Sequence, residues 1–146
     1  MDYVIDASVA AKWCLPAVRE SLVAEANELL RRQAEGRVRF IVPDLFWAEM
    51  TNILWKAVRG GRCTRAFAES SLGKLKQRQL PTISCEGLVD QAFDIAVTYD
   101  RSAYDSFYVA LSLEIGGHLI TADEKLANAL AARLPVKWLG AVNVGG

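Results

Sequence analysis

The chain has 146 residues, the length of one ordinary domain, and 52% of them are hydrophobic, so a disordered protein is excluded. The 17 basic residues balance the 17 acidic ones, which argues against a globally basic nucleic-acid binder and leaves only a local basic patch. Because the hydrophobic share is high for a solitary monomer, it suggests an apolar face that a subunit or partner covers. We expect a single domain over residues 1–146.

The three cysteines favour a reducing compartment. They are an odd number without Cys-x-x-Cys spacing, which disfavours a disulfide framework and a cysteine-rich zinc site. No apolar run approaches the roughly 20 residues that span a bilayer, and the first residues lack the basic region of a signal peptide. We therefore expect a soluble cytoplasmic protein without membrane association.

His118 is the only histidine, so a ribonuclease mechanism that uses one histidine as base and another as acid is excluded. It falls in the strand-like run 118–121, which favours a structural role. Hydrolytic chemistry in this chain therefore requires carboxylates or a metal ion.

Apolar runs and helical spacings alternate along the first half of the chain, with Asp44 and Thr64 placed to cap two of the helices. The predicted elements are a strand at 3–5, helices at 9–15 and 20–34, a strand at 40–42, helices at 44–59 and 64–79, and a strand at 81–84.

The second half continues the alternation. Its predicted elements are helices at 86–99 and 102–115, a strand at 118–121, a helix at 123–132 and a strand at 136–139. The helix 102–115 is apolar nearly all round and should be buried. Together the elements predict an α/β fold, three-layer α/β/α, with a central, mostly parallel twisted sheet of about five strands.

Seven of the 17 acidic residues fit solvated helix faces: Glu20, Glu25, Glu28, Glu35, Glu69, Asp90 and Asp94. Asp6 and Asp123 differ, because each follows a predicted strand. Ligands of open parallel sheets bind at the carboxyl ends of the strands, which favours a functional role. Each residue is equally placed to cap the helix that follows, so both interpretations stay open.

Glu49 lies on the helix 44–59, within a sector of roughly 60° that also holds Asn52 and Lys56. A solvated face with neighbours at i and i+3 accounts for this spacing. Glutamate and asparagine three residues apart also place two oxygen donors on the same side of the helix.

Asp105 lies in the first turn of the apolar helix, and neither Tyr108 at i+3 nor Val109 at i+4 is a cation. A helix N-terminus favours an anion by about 0.3–1 kcal/mol, whereas desolvating an isolated carboxylate costs several kcal/mol. A cation or solvent must therefore share the site with this carboxylate.

The three aspartates are predicted to share one sheet edge. Clustered carboxylates raise one another's pKa unless a positive charge is present. Oxygen donors select Mg²⁺ or Mn²⁺ over zinc, and such an ion activates water and screens a phosphodiester. We predict metal-assisted phosphodiester hydrolysis, with the ion held chiefly by Asp6, Asp105 and Asp123, and with Glu49 completing the cluster or orienting the water.

Four stretches in this order resemble the motifs of PIN-domain ribonucleases of the toxin kind, similar to the VapC toxins of bacterial toxin–antitoxin pairs. They are VIDAS at 4–8, VPDLFWAEMTN at 42–52, YDSFYVAL at 104–111 and LITADEKL at 119–126. The resemblance implies a twisted parallel sheet of about five strands and a Mg²⁺ or Mn²⁺ site. It maps the family's metal-binding, catalytic acids onto Asp6, Glu49, Asp105 and Asp123, and supporting polar groups onto Ser8, Asn52 and Thr121.

The same resemblance implies an RNA substrate and partners. Family members are usually homodimers, and a small antitoxin protein inhibits them by covering the active-site groove, often with a basic side chain among the acids. We therefore expect a Mg²⁺- or Mn²⁺-dependent endoribonuclease that acts as a toxin. The alternatives are a catalytically silent PIN-like module that binds RNA or protein, and a free-standing RNA-processing nuclease without an antitoxin.

A local basic stretch fits that interpretation. The stretch from residue 56 to residue 78 contains seven basic residues and a single acid, Glu69. Its first four members are the candidate RNA-binding residues: Lys56, Arg59, Arg62 and Arg65. Phosphate contacts and plain solvated helix faces explain the stretch equally well. Trp55 points away from the apolar arc of its helix and is a candidate partner anchor, whereas core packing suits Trp13 better.

Other protein families in which an aspartate follows the first strand fit this sequence less well. A phosphatase of the haloacid-dehalogenase kind needs a second aspartate at the position of Ser8, and a response-regulator receiver needs an acidic pair where only Asp6 stands. A Gly-rich phosphate loop of the form GxxxxGK[ST] is absent from the sequence, which excludes nucleotide hydrolysis by that route.

Overall fold

Five parallel strands form the centre of the computed structural model, which describes residues 1–145. Their bounds are Asp2–Ile5 (β1), Arg39–Pro43 (β2), Thr82–Ile83 (β3), His118–Thr121 (β4) and Val136–Trp138 (β5). The strand order is β3-β2-β1-β4-β5, and every neighbouring pair is parallel. In the register, Val4 lies between Ile41 of β2 and Leu119 of β4. The predicted α/β fold with a sheet of about five strands is confirmed.

Seven α-helices connect the strands of the described part of the chain. Their bounds are Ala7–Cys14 (α1), Val23–Ala34 (α2), Leu45–Arg59 (α3), Arg65–Gln77 (α4), Val89–Tyr99 (α5), Ala103–Ile115 (α6) and Glu124–Leu130 (α7). Short 3₁₀ turns precede α5 at Cys85–Leu88 and follow β5 at Leu139–Ala141. Among these helices none has both the length and the apolar character needed to cross a membrane.

The core lies where β1 and β4 meet α6. Val4, Ile5 and Leu119 are fully buried in the strands, as are Val109 and Leu111 in the helix. α6 packs against β1, β2 and β4 on one side and against α5 on another. The prediction that this helix is buried is therefore confirmed, and its N-terminus is held at a fixed place beside the sheet.

The start predicted for the second helix and the capping role predicted for Asp44 are both wrong. α2 begins at Val23 and not at residue 20, because the preceding loop is irregular and holds Arg19 and Leu22 at φ angles of 71° and 58°. Asp44 precedes α3 but makes no capping bond there. Its Oδ1 instead accepts a hydrogen bond from the amide of Cys85 at 3.1 Å. Thr64 does cap α4, as predicted, through a bond from the amide of Phe67.

Four acids predicted on solvated faces are paired with bases: Glu35 and Glu69 remain exposed, whereas Glu20 and Glu28 are mostly buried. Glu20 accepts hydrogen bonds from Lys12 at 3.0 Å and from Arg62 at 2.8 Å. Glu28 is only 4% exposed and accepts from the Nε of Arg31 at 2.6 Å. These pairs join distant parts of the chain or neighbours on one helix. Asp6, Asp105 and Asp123 have no such basic partner within residues 1–145.

Two glycines differ sharply in the space around them, which predicts opposite effects of alanine. A Cβ at Gly117 would lie 2.4 Å from the carbonyl oxygen of Asp2, so Gly117→Ala should force β1 and β4 apart and lower the free energy of unfolding by about 1–3 kcal/mol. Gly73, inside α4, has nothing within 4 Å of that position, so Gly73→Ala should raise it by about 0.5–1 kcal/mol. Urea denaturation measures both; equal effects would contradict the packing described for Gly117.

Candidate functional site

A cavity of about 260 Å³ opens where β1 ends and α1 begins. It is lined by Asp6, Ala7, Ser8, Glu49, Asn52, Ile53, Asp105 and Asp123. The four acids singled out from the sequence therefore line one cavity, although they come from four distant parts of the chain. Two of the three supporting polar residues, Ser8 and Asn52, also line it, and Thr121 reaches it through Asp6.

Asp6 is 9% exposed and is held by two hydroxyl groups. Its Oδ2 accepts hydrogen bonds from Ser8 Oγ at 2.6 Å and from Thr121 Oγ1 at 2.8 Å. Its side chain makes no capping bond to α1, so the capping interpretation of Asp6 is wrong. Since both hydroxyls donate to the same oxygen, Oδ1 is the oxygen that remains for a ligand.

Backbone amides fix the direction of those two hydroxyls. Ser8 Oγ accepts from the amide of Ala122 at 3.0 Å, and Thr121 Oγ1 accepts from the amide of Asp123 at 3.1 Å. A hydroxyl has one proton, and an amide can only donate to it, so each proton is left to point at Asp6. The arrangement joins the end of β1 to the turn after β4 and favours the ionised form of Asp6.

Asp123 caps α7 and lines the cavity at the same time. Its Oδ1 accepts from the amide of Leu126 at 3.1 Å, so the capping interpretation holds for this residue. A carboxylate whose position is fixed by a helix end keeps a second oxygen for another ligand.

Asp105 is half-buried in the first turn of α6, where its amide donates to Ser102 Oγ at 3.1 Å. Burial raises the pKa of the Asp105 carboxyl, the charge of Asp123 raises it further, and hydrogen bonding from Ser102 and the charge of Arg101 act against this. The raised pKa reflects a carboxylate that no nearby cation fully balances.

Glu49 projects from α3 toward α6, so the solvated-face interpretation is wrong for this residue. It is half-buried, and its Oε1 accepts a hydrogen bond from Tyr108 Oη at 2.6 Å. Burial raises the pKa of Glu49, the bond from Tyr108 lowers it, and the charge of Asp105 raises it. Asn52 joins Glu49 in the cavity lining, whereas Lys56 lies outside it.

Tyr108 is the residue that the sequence reasoning missed. Burial and the charges of Asp6 and Glu49 raise the pKa of Tyr108 well above its usual range, so the phenol keeps its proton. The available signal was a tyrosine one turn after Asp105 in an otherwise apolar helix, because a buried hydroxyl needs a hydrogen-bond partner.

The electrostatics suit a cation. Burial raises the pKa of Asp6 to about 6 against the hydrogen bonds from Ser8 and Thr121, and the charges of Glu49 and Asp105 contribute. Among the ion pairs of residues 1–145, none involves any of the four acids. Carboxylate oxygens are the donors that Mg²⁺ and Mn²⁺ prefer, so the donor set fits such an ion.

The four acids line the cavity, but their carboxylates do not converge on one position. Within the described residues no three acidic, histidine or cysteine side chains are close enough to hold a metal ion as they stand. Clustered carboxylates repel one another and raise one another's pKa when no positive charge lies between them. An ion entering the cavity would draw the side chains together.

The candidate RNA-binding residues lie outside the cavity lining. Arg62 pairs with Glu20 and Arg65 with Glu69, which offsets part of the local positive charge. Lys56 and Arg59 are exposed, and neither forms an ion pair within residues 1–145.

Two of the four tryptophans, Trp55 and Trp13, and the single histidine lie in the surroundings predicted from the sequence. Trp55 is 54% exposed beneath the guanidinium of Arg59, whereas Trp13 is partly buried, packs against the core and stacks on Phe40. His118 begins β4 and thus lies at the strand end opposite the cavity, which excludes it from the site.

The buried charge of Asp6 predicts a pH-dependent stability in metal-free protein. The pKa rises from about 4 when unfolded to about 6 when folded, so the folded state binds the proton more tightly. Stability should therefore fall as pH rises from 4 to 6, by about 3 kcal/mol at 1.36 kcal/mol per unit. Denaturation in EDTA across that range measures the loss.

Asp6→Asn is the matched control, because its amide oxygen still accepts from Ser8 and Thr121. The variant should lack this part of the pH dependence and be the more stable protein above pH 7. Added Mn²⁺ should stabilise the wild type at pH 7 and the variant much less. Parallel pH profiles for the two proteins would contradict the burial described for this carboxylate.

Comparison with known proteins agrees with the fold. The sequence model of the PIN domain matches residues 3–130. Among solved structures, PAE2754 from Pyrobaculum aerophilum covers 96% of this chain and 85% of its own, with a TM-score of 0.69 at 22% identity. VapBC2 from Rickettsia felis, solved with a DNA fragment from its promoter, covers 94% and 98%, with a TM-score of 0.62 at 13% identity. A toxin–antitoxin complex from Klebsiella pneumoniae covers 92% and 95%, with a TM-score of 0.61 at 12% identity.

Curated proteins similar in sequence to this chain are ribonucleases of one branch of this family. Ribonuclease VapC3 of Pyrobaculum aerophilum is 33% identical over 138 residues, which cover 90% of this chain and 97% of that protein. Ribonuclease VapC9 of Mycobacterium tuberculosis is 28% identical over 133 residues, which cover 91% and 94%. The family match spans most of the chain and the relatives match nearly end to end, and the chain therefore belongs to the PIN-domain family, among the VapC ribonucleases.

Proposed function

We propose that this chain is a metal-dependent endoribonuclease that hydrolyses RNA phosphodiester bonds as the toxin of a toxin–antitoxin pair. The observation that carries the proposal is the meeting of four acids in one cavity without an ion pair among residues 1–145. The relatives named as ribonucleases support the choice of RNA as substrate.

The cofactor in this proposal is Mg²⁺ or Mn²⁺, held chiefly by Asp6, Asp105 and Asp123 with Glu49 nearby. When bound, such an ion neutralises charge on the phosphodiester and lowers the pKa of a water molecule that can attack the phosphorus. The donor set consists of carboxylate oxygens, which makes either of these hard cations a better fit than zinc.

Each of the cavity's polar side chains has its own role in the proposed site. Asp6 presents Oδ1 to the cavity because Ser8 and Thr121 hold Oδ2. Asp123 is fixed by its bond to α7, which keeps its carboxylate at the sheet edge. Glu49 completes the donor set or orients the attacking water, and Asn52 adds a neutral polar group beside it.

Basic residues next to the cavity would position the RNA. Lys56 follows Glu49 and Asn52 along α3, and Arg59 lies one turn further on. Both are free of acidic partners within residues 1–145, so we assign them the stronger phosphate contacts and give Arg62 and Arg65, which are paired, the weaker ones. Each phosphate contact adds salt-dependent affinity without sequence preference.

An antitoxin protein is the proposed partner. The structural neighbours include a VapBC pair and a toxin–antitoxin complex. A small antitoxin that covers the acidic groove with a basic side chain would supply the positive charge that the four acids lack. We also propose that the protein works in the cytoplasm as a homodimer.

Cleavage of RNA tests the catalytic site. The wild type should cleave a structured RNA in the presence of Mg²⁺ or Mn²⁺, and cleavage should stop when EDTA removes the ion. Asp105→Asn should lower the rate by more than about a hundredfold, because Asp105 is a proposed direct ligand and the loss of a group that only supports a ligand already costs about 10–100-fold. The matched control is Asp94→Asn on the exposed face of α5, which should cleave like the wild type.

Cleavage that survives in Asp105→Asn would reject this site. Failure of the wild type to cleave any RNA, with RNA binding retained, would instead favour a catalytically silent binding module.

Co-purification tests the partner. The protein should emerge from its native host bound to a small protein whose removal releases ribonuclease activity. If it emerges alone and its overproduction is harmless to that host, a free-standing RNA-processing nuclease becomes the better description.

A further inference from the structure

Tyr108 is the largest fully buried side chain of the described residues, with 1% of its surface exposed. It lies one turn after Asp105 on α6, so both side chains project toward the same side of the helix. Its ring belongs to the core, and its hydroxyl is the one polar atom at its tip. That hydroxyl reaches Glu49 Oε1 at 2.6 Å, across 59 positions of sequence.

The bond from Tyr108 is the hydrogen bond that the Glu49 carboxylate makes within residues 1–145. A glutamate side chain has three rotatable bonds, and on a half-exposed helix face it samples several rotamers. A short bond to a buried, rigid phenol removes most of that freedom. It also commits Oε1 to the protein, which leaves Oε2 as the oxygen without a hydrogen-bond partner within residues 1–145, on a residue that lines the cavity.

We propose that Tyr108 is a positioning residue for the metal site: it holds Glu49 so that a single oxygen of that carboxylate is presented to the divalent ion or to its water. The inference rests on the proposed function and deepens it, since it assigns how Glu49 takes part. Tyr108 itself touches neither ion nor substrate. It acts through Glu49, as the hydrogen-bond partners of metal-binding side chains commonly hold those side chains in place.

A purely structural tyrosine would make a different prediction. If the hydroxyl merely satisfies its own hydrogen-bonding need, its loss should change stability and leave Mn²⁺ affinity intact. If it positions Glu49, its loss should weaken Mn²⁺ binding, and that weakening should vanish once Glu49 is disabled. A double-mutant cycle between the two residues separates these cases.

The experiment is a calorimetric titration with Mn²⁺ on four proteins: the wild type, Tyr108→Phe, Glu49→Gln and the double variant. Tyr108→Phe should weaken binding by about tenfold, as is typical when an outer-shell partner is lost. Glu49→Gln should weaken it at least as much, and the double variant should be no worse than Glu49→Gln alone. The free energy of unfolding is measured in EDTA for each protein.

Tyr3→Phe is the matched control. Tyr3 is also buried, on β1, and its hydroxyl makes no side-chain hydrogen bond within residues 1–145. This variant should bind Mn²⁺ like the wild type, which isolates the effect of the Tyr108 hydroxyl from that of any buried Tyr→Phe change.

Two outcomes would overturn the inference and are distinguishable. Wild-type binding of Mn²⁺ with unchanged or tighter binding by Tyr108→Phe, or with additive effects in the double variant, overturns the positioning role and leaves the proposed function standing. Failure of the folded wild type to bind Mn²⁺ at all overturns both together.

Discussion

The site depends on one buried carboxylate whose neighbours are acids and not bases. Asp6 is held by hydroxyls from α1 and β4, and those hydroxyls are oriented by amides of the turn that carries Asp123. The hydrogen bonds oppose the cost of burying the charge but do not cancel it, because burial still raises the pKa of Asp6. A positive charge from outside the chain is what the arrangement lacks, and both a metal ion and a basic side chain of a partner have that property.

The topology explains how distant residues meet. All five strands are parallel, so the carboxyl ends of β1 and β4 lie at one edge, and the connections that leave them carry Asp6 and Asp123. α6 packs against these strands and brings Asp105 and Tyr108 to the same edge. α3 packs against α1 and α4, and the bond between Glu49 and Tyr108 links α3 to α6 at the cavity. The contacts that pack α6 against the sheet are therefore also the contacts that bring the site residues together.

Local rules in the sequence predicted much of this arrangement. The alternation of apolar strands and helices predicted the sheet, and the positions of Asp6 and Asp123 after strands predicted their edge. The sequence left open whether Asp6 and Asp123 cap helices. In the structure the side chain of Asp123 caps a helix and that of Asp6 does not. Long-range partners were not predictable: spacing along α3 says nothing about Tyr108, and the acid that pairs with Arg62 lies 42 positions away. Such pairs are decided by packing, which a helical period does not encode.

Crystals grown with Mn²⁺ would test the central claim most directly, through the anomalous signal of the ion. The account predicts one or two peaks in the cavity, with Asp6 Oδ1 and oxygens of Asp105 and Asp123 within about 2.0–2.6 Å, the range of hard-cation contacts to oxygen. It also predicts that the Ser8 and Thr121 bonds to Oδ2 remain in place. Peaks confined to other surface acids, or a cavity in which an arginine or lysine of the chain has moved between the four carboxylates, would contradict it.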